Sequence, residues 1–133
     1  MISKPKISII GAGNVGASAA YRALELDLAD VVLLDIVEGL PQGKALDMTQ
    51  MLSVTGISSS VIGTNDYSDT KDSDVVIITS GLARKPGMSR DDLISTNTKI
   101  IKEVTEQVVK FSPNSIIIAV SYTHLTLPTI YSV

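Results

Sequence analysis

A glycine-rich segment follows the first apolar run of the chain and has the spacing of a phosphate-binding loop. It reads Gly11-Ala12-Gly13-Asn14-Val15-Gly16 and lies between the β-branched run Ile7–Ile10 and a helical pattern. In this context the first glycine permits a tight turn, the second lets a pyrophosphate approach the backbone, and the third lets helix and strand pack closely. Free N–H groups at the helix start can then bind phosphate oxygens. An ordinary glycine-rich turn is the alternative, and the strand-loop-helix context disfavours it.

An acidic residue, Asp35, ends the second apolar run at the distance where a dinucleotide-binding fold places a carboxylate on the adenine ribose. Such a carboxylate accepts hydrogen bonds from the ribose hydroxyls and repels the additional phosphate of NADP. The next residues, Ile36-Val37-Glu38, bring no arginine that could compensate. The pattern therefore predicts NAD as the cofactor. A solvated acid at a strand end is the alternative interpretation.

Two arginines lie in the segment between the fourth apolar run and the last helical pattern. Pro86-Gly87 predicts a turn there, at the sheet edge where ligands bind in open α/β folds, and Ser89 is a candidate helix N-cap. Arginine pairs bidentately with a carboxylate and stabilises negative charge on a carbonyl oxygen, so Arg84 and Arg90 would suit a dicarboxylic keto acid. Two solvated loop charges explain the same residues equally well.

Alternating strand and helix patterns must position these residues. Four apolar runs are continuous and rich in β-branched residues, which is typical of strands covered on both faces, and a weaker run completes the set. The five runs are Ile7–Ile10, Val31–Leu34, Ser58–Thr64, Val75–Ile78 and Ile116–Val120. The alternation predicts an α/β domain, a Rossmann-like doubly wound parallel sheet with right-handed crossovers.

Three helices are expected between the runs, and a single turn at Ser68–Lys71. In the first helix Val15, Ala19, Ala23 and Leu26 share one face, which predicts the buried side. The second covers Leu40 to about Leu52. The buried face of the last is expected to comprise Leu93, Ile100, Val104 and Val108.

Composition bounds the class of protein. A chain of 133 residues with 44% hydrophobic and 19% charged residues is expected to form one soluble domain. A net charge of -3 without a basic patch argues against nucleic acid, and no apolar run approaches the ~20 residues that span a membrane. The absence of cysteine excludes disulfides and thiolate metal sites, and no metal is predicted. The amino terminus carries no pattern of a signal peptide, so a cytoplasmic location is expected.

Several segments together resemble the lactate/malate dehydrogenase family, in particular its malate-specific members. The resemblance covers residues 1 to about 120. Its segments are Ile9–Gly16, Asp35-Ile36, Gly43–Asp47, Thr79–Gly81, Arg84–Leu93 and Ser95–Asn97. It implies NAD-dependent hydride transfer between (S)-malate and oxaloacetate, a place in the tricarboxylic acid cycle, and a parent protein that forms homodimers or homotetramers.

The resemblance also implies roles for individual residues. Arg84 would bind the distal carboxylate of the substrate, and Arg90 would polarise the reacting carbonyl as the catalytic residue of this chain. The lactate enzymes usually carry glutamine where Arg84 stands, so this arginine favours malate over a lactate-type 2-hydroxy acid. Asn97 would contact cofactor or substrate, although a polar helix residue facing a groove is the alternative. The cofactor contacts would be Gly11, Ala12, Gly13, Asn14, Val15, Gly16, Asp35, Asn97, Val120 and Ser121.

The resemblance ends after the fifth run. Family members continue there into Ser-Asn-Pro, whereas Tyr122 stands in place of the asparagine. We expect residues 1–120 to be an incomplete NAD-binding domain without its sixth strand and substrate domain. Residues 121–133 are then expected to be a foreign tail, encoded by read-through into a sequencing adaptor; a divergent native tail is the alternative. The family's proton-transferring histidine lies further along the chain, so no catalytic role is predicted for His124 and the polypeptide is expected to be inactive.

Two other functional classes would share some of these sequence features. A stand-alone NAD-binding or sensing module would keep the glycine loop and Asp35 without catalysing a reaction. An α/β methyltransferase or another adenosine-binding protein would share these two features as well, but it gives no reason for the loop that carries Arg84 and Arg90.

Overall fold

The structure is a computed structural model that describes residues 4–120. Within them, strands and helices alternate as the sequence predicts. The elements are β1 (Lys6–Ile10), α1 (Asn14–Glu25), β2 (Asp30–Leu34), α2 (Leu40–Thr55), β3 (Val61–Thr64), β4 (Val75–Ile78), α3 (Arg90–Phe111) and β5 (Ile116–Ala119), with a 3-10 turn at Tyr67–Thr70 between β3 and β4. No helix among these residues is long and apolar enough to cross a membrane.

The sheet is parallel throughout, with the strand order β3-β2-β1-β4-β5. Strand β1 therefore lies in the middle, and the chain moves outward from it first in one direction and then in the other. Right-handed crossovers in opposite directions place their helices on opposite faces of a sheet. The predicted doubly wound α/β fold is thus confirmed.

Neighbouring residues of the central strands point to opposite faces, and both faces are covered. Ile9 and Leu33 are buried against α1 and α2, whereas Ile10 and Leu34 are buried against α3. Each of the four is at most 2% exposed. This two-sided burial explains why the runs of β1 and β2 are continuously apolar rather than alternating.

The prediction of two-sided burial is wrong for β5. Ile116, Ile117 and Ile118 are 66%, 38% and 46% exposed, because β5 lies at the edge of the sheet and pairs only with β4 in the described part of the chain. Its bounds also differ by one residue, since the strand ends at Ala119 and not at Val120. The third strand is shorter than predicted as well and begins at Val61.

The predicted buried face of α1 is confirmed only in part. Ala23 is buried and Ala19 packs against the same cluster, but Val15 and Leu26 are 49% and 64% exposed, and the helix also buries Gly16, Ala20 and Leu24. The small residues at positions 16, 20 and 23 let the helix lie close to the sheet, and this close approach decides which side faces inward. For α3 the prediction is confirmed at three of its four residues, because Val104 and Val108 are buried and Ile100 packs against the same cluster, whereas Leu93 is half-buried and does not belong to it. Helix α2 runs beyond Leu52 to Thr55 and ends at Gly56 in a left-handed conformation.

A charged cluster ties three segments together at the amino-terminal edge of the sheet. Asp27, in the turn between α1 and β2, bonds the Lys4 ammonium and accepts hydrogen bonds from the amide and hydroxyl of Ser59 at 2.9 and 2.6 Å. These bonds, that of Lys4 first, hold the pKa of the Asp27 carboxyl well below its usual range. The ionised carboxylate therefore stabilises the folded state at neutral pH.

We expect Asp27→Asn to lower the melting temperature at pH 7 and to flatten its acid dependence. A depressed folded-state pKa contributes stability above the unfolded value of about 4 and loses it progressively as the pH falls below that value. The melting curves of wild type and variant should therefore converge between pH 5 and the acid limit of folding. Asp72→Asn is the matched control, because Asp27 and Asp72 both have a positive φ, of 52° and 58°, and both are exposed. Parallel pH profiles for wild type and Asp27→Asn would contradict the prediction.

Candidate functional site

The candidate residues gather at the carboxyl-terminal edge of the sheet, where the strand order reverses. The loop after β1 and the loop after β4 leave adjacent strands toward opposite faces, which opens a crevice of the kind that binds ligands in open α/β folds. Backbone bonds hold the strand ends together: the N–H of Gly11 donates to Leu34 O, and that of Thr79 donates to Ile10 O, both at 2.8 Å. The N–H of Val120 donates to Ile78 at the same distance, which places Val120 on this edge too.

The geometry of the glycine loop matches the three roles predicted for its glycines. Gly11 has a φ of +109°, and a Cβ there would lie 2.8 Å from Ser80 N. A Cβ on Gly16 would lie 1.8 Å from Gly11 O, so the helix can approach the loop only because this position lacks a side chain. Around the Cβ position of Gly13 nothing of the described chain lies within 4 Å, which leaves this backbone open to a ligand.

The start of α1 is suited to an anion. No side chain of the described chain caps this helix, its first turn holds no acidic residue, and the first helical bond runs from Ala17 N to Gly13 O at 3.0 Å. The start of α3 differs: Ser89 and Asp92 form a reciprocal capping box, and the Ser89 bonds lower the pKa of the Asp92 carboxyl. The amide groups of α1 thus keep their capacity to bind phosphate oxygens.

Asp35 lies at the end of β2, beside this loop. Its Oδ2 accepts a hydrogen bond from Ala12 N at 2.7 Å and its Oδ1 accepts one from Val37 N at 3.0 Å. Each carboxylate oxygen can accept a second bond, so Asp35 is held in place and can still accept from ribose hydroxyls. Burial is the main cause that raises the pKa of Tyr67, followed by the negative charge of Glu103 and then by that of Asp35.

The loop after β4 is anchored at its base. Asn97, which is 7% exposed, accepts a hydrogen bond from Leu82 N at 2.7 Å and donates one to Leu82 O at 3.2 Å. Thr79 Oγ1 donates to Gly11 O at 3.0 Å and so connects the two loops of the crevice. The structure thus has Asn97 positioning the loop, and a direct contact of this residue with cofactor or substrate stays a prediction.

The two arginines flank the turn beyond this anchor. Arg84 is exposed, and its Nε donates to Met88 O at 3.3 Å. Arg90 is exposed as well. The prediction that it lies in the loop is wrong, because Arg90 is the first residue of α3. Neither guanidinium forms an ion pair with any side chain of residues 4–120. Both charges are therefore available to an anionic ligand.

The structure brings most of the predicted site residues to one edge and adds others. Ser121, Tyr122 and His124 lie outside the described residues. Sequence reasoning missed Lys44, whose ammonium contacts the glycine loop, and the hydroxyl of Ser80, which is buried without a hydrogen-bond partner in the described chain. The contact of Lys44 and the burial of the Ser80 hydroxyl depend on residues far apart in the sequence, and the only local signal was that both residues fall within segments of the resemblance.

The comparison with protein families decides the identity of the domain. A model described as lactate/malate dehydrogenase, NAD binding domain, matches residues 5–122. The chain belongs to the lactate/malate dehydrogenase family. Among its relatives, the malate dehydrogenase of Methanosarcina barkeri is 60% identical over 116 residues, which are 87% of this chain and 38% of that protein.

Solved structures of the family agree with this fold. The malate dehydrogenase of Picrophilus torridus in its apo form superposes with a TM-score of 0.88 at 43% identity, over 90% of this chain and 39% of that one. The lactate dehydrogenase of Cryptosporidium parvum in complex with lactic acid and NAD superposes with a TM-score of 0.85 at 47% identity, over 92% and 38%. The chain spans less than two fifths of the length of these relatives.

NAD is the cofactor of this domain, and the residues present fit it. The crevice offers an open approach at Gly13, an uncapped helix start, and an acid at the end of β2 without an arginine beside it. The buried Ser80 hydroxyl, at the junction of the two loops, has a hydrogen bond left to give to a ligand. In the described part of the chain no group of acidic, histidine or cysteine side chains could hold a metal ion.

Proposed function

We propose that the chain is the NAD-binding part of an NAD-dependent malate dehydrogenase that interconverts (S)-malate and oxaloacetate. The observation that carries the proposal is the position of Arg84 and Arg90 beside the NAD crevice, on either side of the turn that follows the Asn97 anchor. Both arginines are exposed and have no ion-pair partner in the described chain. A dicarboxylic substrate brings a distal carboxylate for Arg84 and a reacting carbonyl for Arg90, whereas lactate offers no second carboxylate. The 60% identity to a malate dehydrogenase supports the same substrate.

The residues of the site would divide the work as follows. Backbone N–H groups of the segment Gly11–Gly16 would bind the pyrophosphate, Asp35 would accept from the adenine ribose, and the backbone of Val120 and Ser121 would line the nicotinamide pocket. NAD, when bound, supplies the hydride acceptor at C4 of its nicotinamide. Asn97 would hold the substrate loop or contact the ligands directly.

The substrate would be oriented by the two arginines. Arg84 would pair with the distal carboxylate, so that only a dicarboxylic acid satisfies it. Arg90 would donate to the carbonyl oxygen of oxaloacetate, where negative charge develops during reduction, or to the corresponding hydroxyl oxygen of malate. The residue that exchanges the proton would be supplied from outside residues 1–120, and we assign His124 no part in it.

A lactate-type enzyme is the second candidate, because the lactate dehydrogenase of Cryptosporidium parvum is 47% identical to this chain. Arg84 favours malate over this reading. We propose further that the parent protein is a cytoplasmic enzyme of the tricarboxylic acid cycle and a homodimer or homotetramer that binds neither nucleic acid nor membranes. The proposed domain boundary lies at residue 120.

The experiment that tests the cofactor assignment is a titration of the chain with NADH and NADPH, followed by the fluorescence of the reduced nicotinamide. We expect NADH to bind more tightly, and Asp35→Ser to narrow the ratio of the two dissociation constants by about one to two orders of magnitude, since a charge-assisted hydrogen bond contributes ~1.5–3 kcal/mol. No turnover of malate with NAD is expected from the 133-residue polypeptide.

Glu38→Gln is the control for this titration, because Glu38 is an exposed acid three residues further along the same edge. It should leave the ratio unchanged. If Asp35→Ser and Glu38→Gln changed the ratio equally, the preference would come from the general charge of this edge, and the assignment of Asp35 would be wrong. Turnover that depends on malate and NAD would overturn the expectation of an inactive polypeptide.

A further inference from the structure

The segment Gly43–Asp47 on α2 belongs to the family resemblance but contributes no residue to the proposed contacts with NAD. Within it, Lys44 is half-buried and reaches across to the glycine loop. Its Nζ donates to Ala12 O at 2.6 Å and lies 3.4 Å from Gly13 O. A lysine that places its ammonium on two consecutive carbonyl groups of a phosphate-binding loop is in a position to determine how that loop is oriented.

The Ala12 residue is held at both of its polar groups. Its N–H donates to Asp35 Oδ2 at 2.7 Å, and its carbonyl accepts from Lys44. One partner comes from the end of β2 and the other from α2, so two separate elements fix one residue of the loop. Since both bonds involve a charged side chain, each is stronger than a bond between neutral groups.

The covalent geometry of the peptide unit converts this contact into an effect on the ligand side. The peptide bonds of the loop are trans, so each carbonyl points opposite to the N–H of the next residue. Because Lys44 binds the carbonyl of Ala12 from the side of α2, the N–H group of Gly13 must point away from α2. The carbonyl of Gly13, 3.4 Å from Lys44 Nζ, also accepts the first helical bond of α1. The Gly13 N–H lies at the uncapped start of α1, where an anion is expected to bind.

We infer that Lys44 is a positioning residue of the cofactor site, which fixes the N–H group of Gly13 in the orientation that receives the pyrophosphate. The inference rests on the proposed NAD binding. Lys44 acts through the loop carbonyls and does not contact the phosphates. Its charge also offsets the partial negative charge of these carbonyls, which would otherwise oppose an anion nearby.

The first measurement is the dissociation constant of NADH for the chain and three variants. Lys44→Met should raise the constant about tenfold, the loss expected for one charge-assisted hydrogen bond. Lys44→Arg keeps the charge and the donors and should return the constant to within about threefold of wild type. Lys71→Met is the matched control, because Lys71 is exposed and lies before β4 at the opposite edge of the sheet, and it should change nothing.

The second measurement is amide hydrogen exchange in the ligand-free chain, which needs no cofactor binding. In Lys44→Met the amide proton of Ala12, which is buried and donated to Asp35, should exchange about tenfold faster, whereas those of the central strands β1 and β4 should be unchanged. If Lys44→Met does not fold, Lys44→Arg is compared with wild type instead. The dissociation constant and the exchange rates of Lys44→Arg should both be close to those of wild type.

The outcomes separate the inference from its alternatives. A Lys44→Met variant with faster exchange throughout the protein and an unchanged dissociation constant would make Lys44 a structural strut only and overturn the inference. A larger dissociation constant with unchanged exchange at Ala12 would mean direct contact of Lys44 with the ligand and would also overturn the inference. If wild type bound no NADH, the proposed function would fail, and the exchange measurement would still decide whether Lys44 orients the loop.

Discussion

Replacing Gly16 by alanine is expected to lower the melting temperature by about 5–10 °C and to weaken NADH binding by roughly two orders of magnitude. A Cβ at this position would lie 1.8 Å from the carbonyl oxygen of Gly11. In a helix interior alanine is about 1 kcal/mol more stabilising than glycine. The Gly11 carbonyl, however, can make room for a Cβ only if α1 or the loop moves. The collision therefore outweighs the gain in helix propensity.

Two other glycines make this prediction specific. Gly43→Ala, on α2, is the control for stability: nothing lies within 4 Å of the added Cβ, so we expect unchanged or slightly raised stability and normal NADH binding. Gly13→Ala separates binding from folding, because its Cβ is free of contacts in the described chain but enters the space through which a pyrophosphate approaches. It should keep the wild-type melting temperature and lose NADH affinity. Equal melting temperatures for Gly16→Ala and Gly43→Ala would contradict the packing argument.

The second large effect is expected for Arg84→Gln on substrate choice. Since the chain spans 38% of the Methanosarcina barkeri malate dehydrogenase, the measurement uses a chimera in which residues 4–120 replace the matching part of that enzyme. Arg84→Gln should lower kcat/KM for oxaloacetate by roughly one to three orders of magnitude, because the distal carboxylate loses a bidentate partner worth ~1.5–3 kcal/mol per bond. For pyruvate kcat/KM should fall far less or rise.

Arg90→Gln provides the contrast in the same chimera. It should depress kcat for both substrates, since it acts on the carbonyl that they share. Lys85→Gln removes a charge next to Arg84 and controls for the general electrostatic attraction of the loop; it should alter both substrates equally and by little. Equal losses on oxaloacetate and pyruvate in Arg84→Gln would remove the reason for assigning a dicarboxylic substrate.

Local sequence determined much of the architecture. The β-branched, continuous runs predicted β1, β2 and β4, because strands in the middle of a covered parallel sheet need apolar residues on both faces. Ser89 was recognisable as the N-cap of α3, since its partner Asp92 stands only three residues away. The glycine spacing from Gly11 to Gly16 predicted the loop and its ligand, because each glycine answers a steric requirement that acts within a few residues.

Contacts between distant segments decided what the sequence could not show. Ala23 was predicted correctly on the buried face of α1, yet the close approach at Gly16 also turns Ala20 toward the sheet and leaves Val15 half exposed. The exposure of β5 depends on which strands lie beside it, and its composition resembles that of the central strands.

The same holds for the residues that orient the site. Lys44 meets Ala12 from 32 positions away, and Asn97 meets Leu82 from 15 positions away. Neither pair leaves a periodic or compositional trace, because the pairing depends on how α2 and α3 are docked on the sheet. The sequence by itself therefore determined the fold class, the phosphate loop and the cofactor. Only the tertiary structure decided which side chains hold that loop and the arginine segment in place, since hydrogen bonds of this kind arise from helix packing and not from local chain geometry.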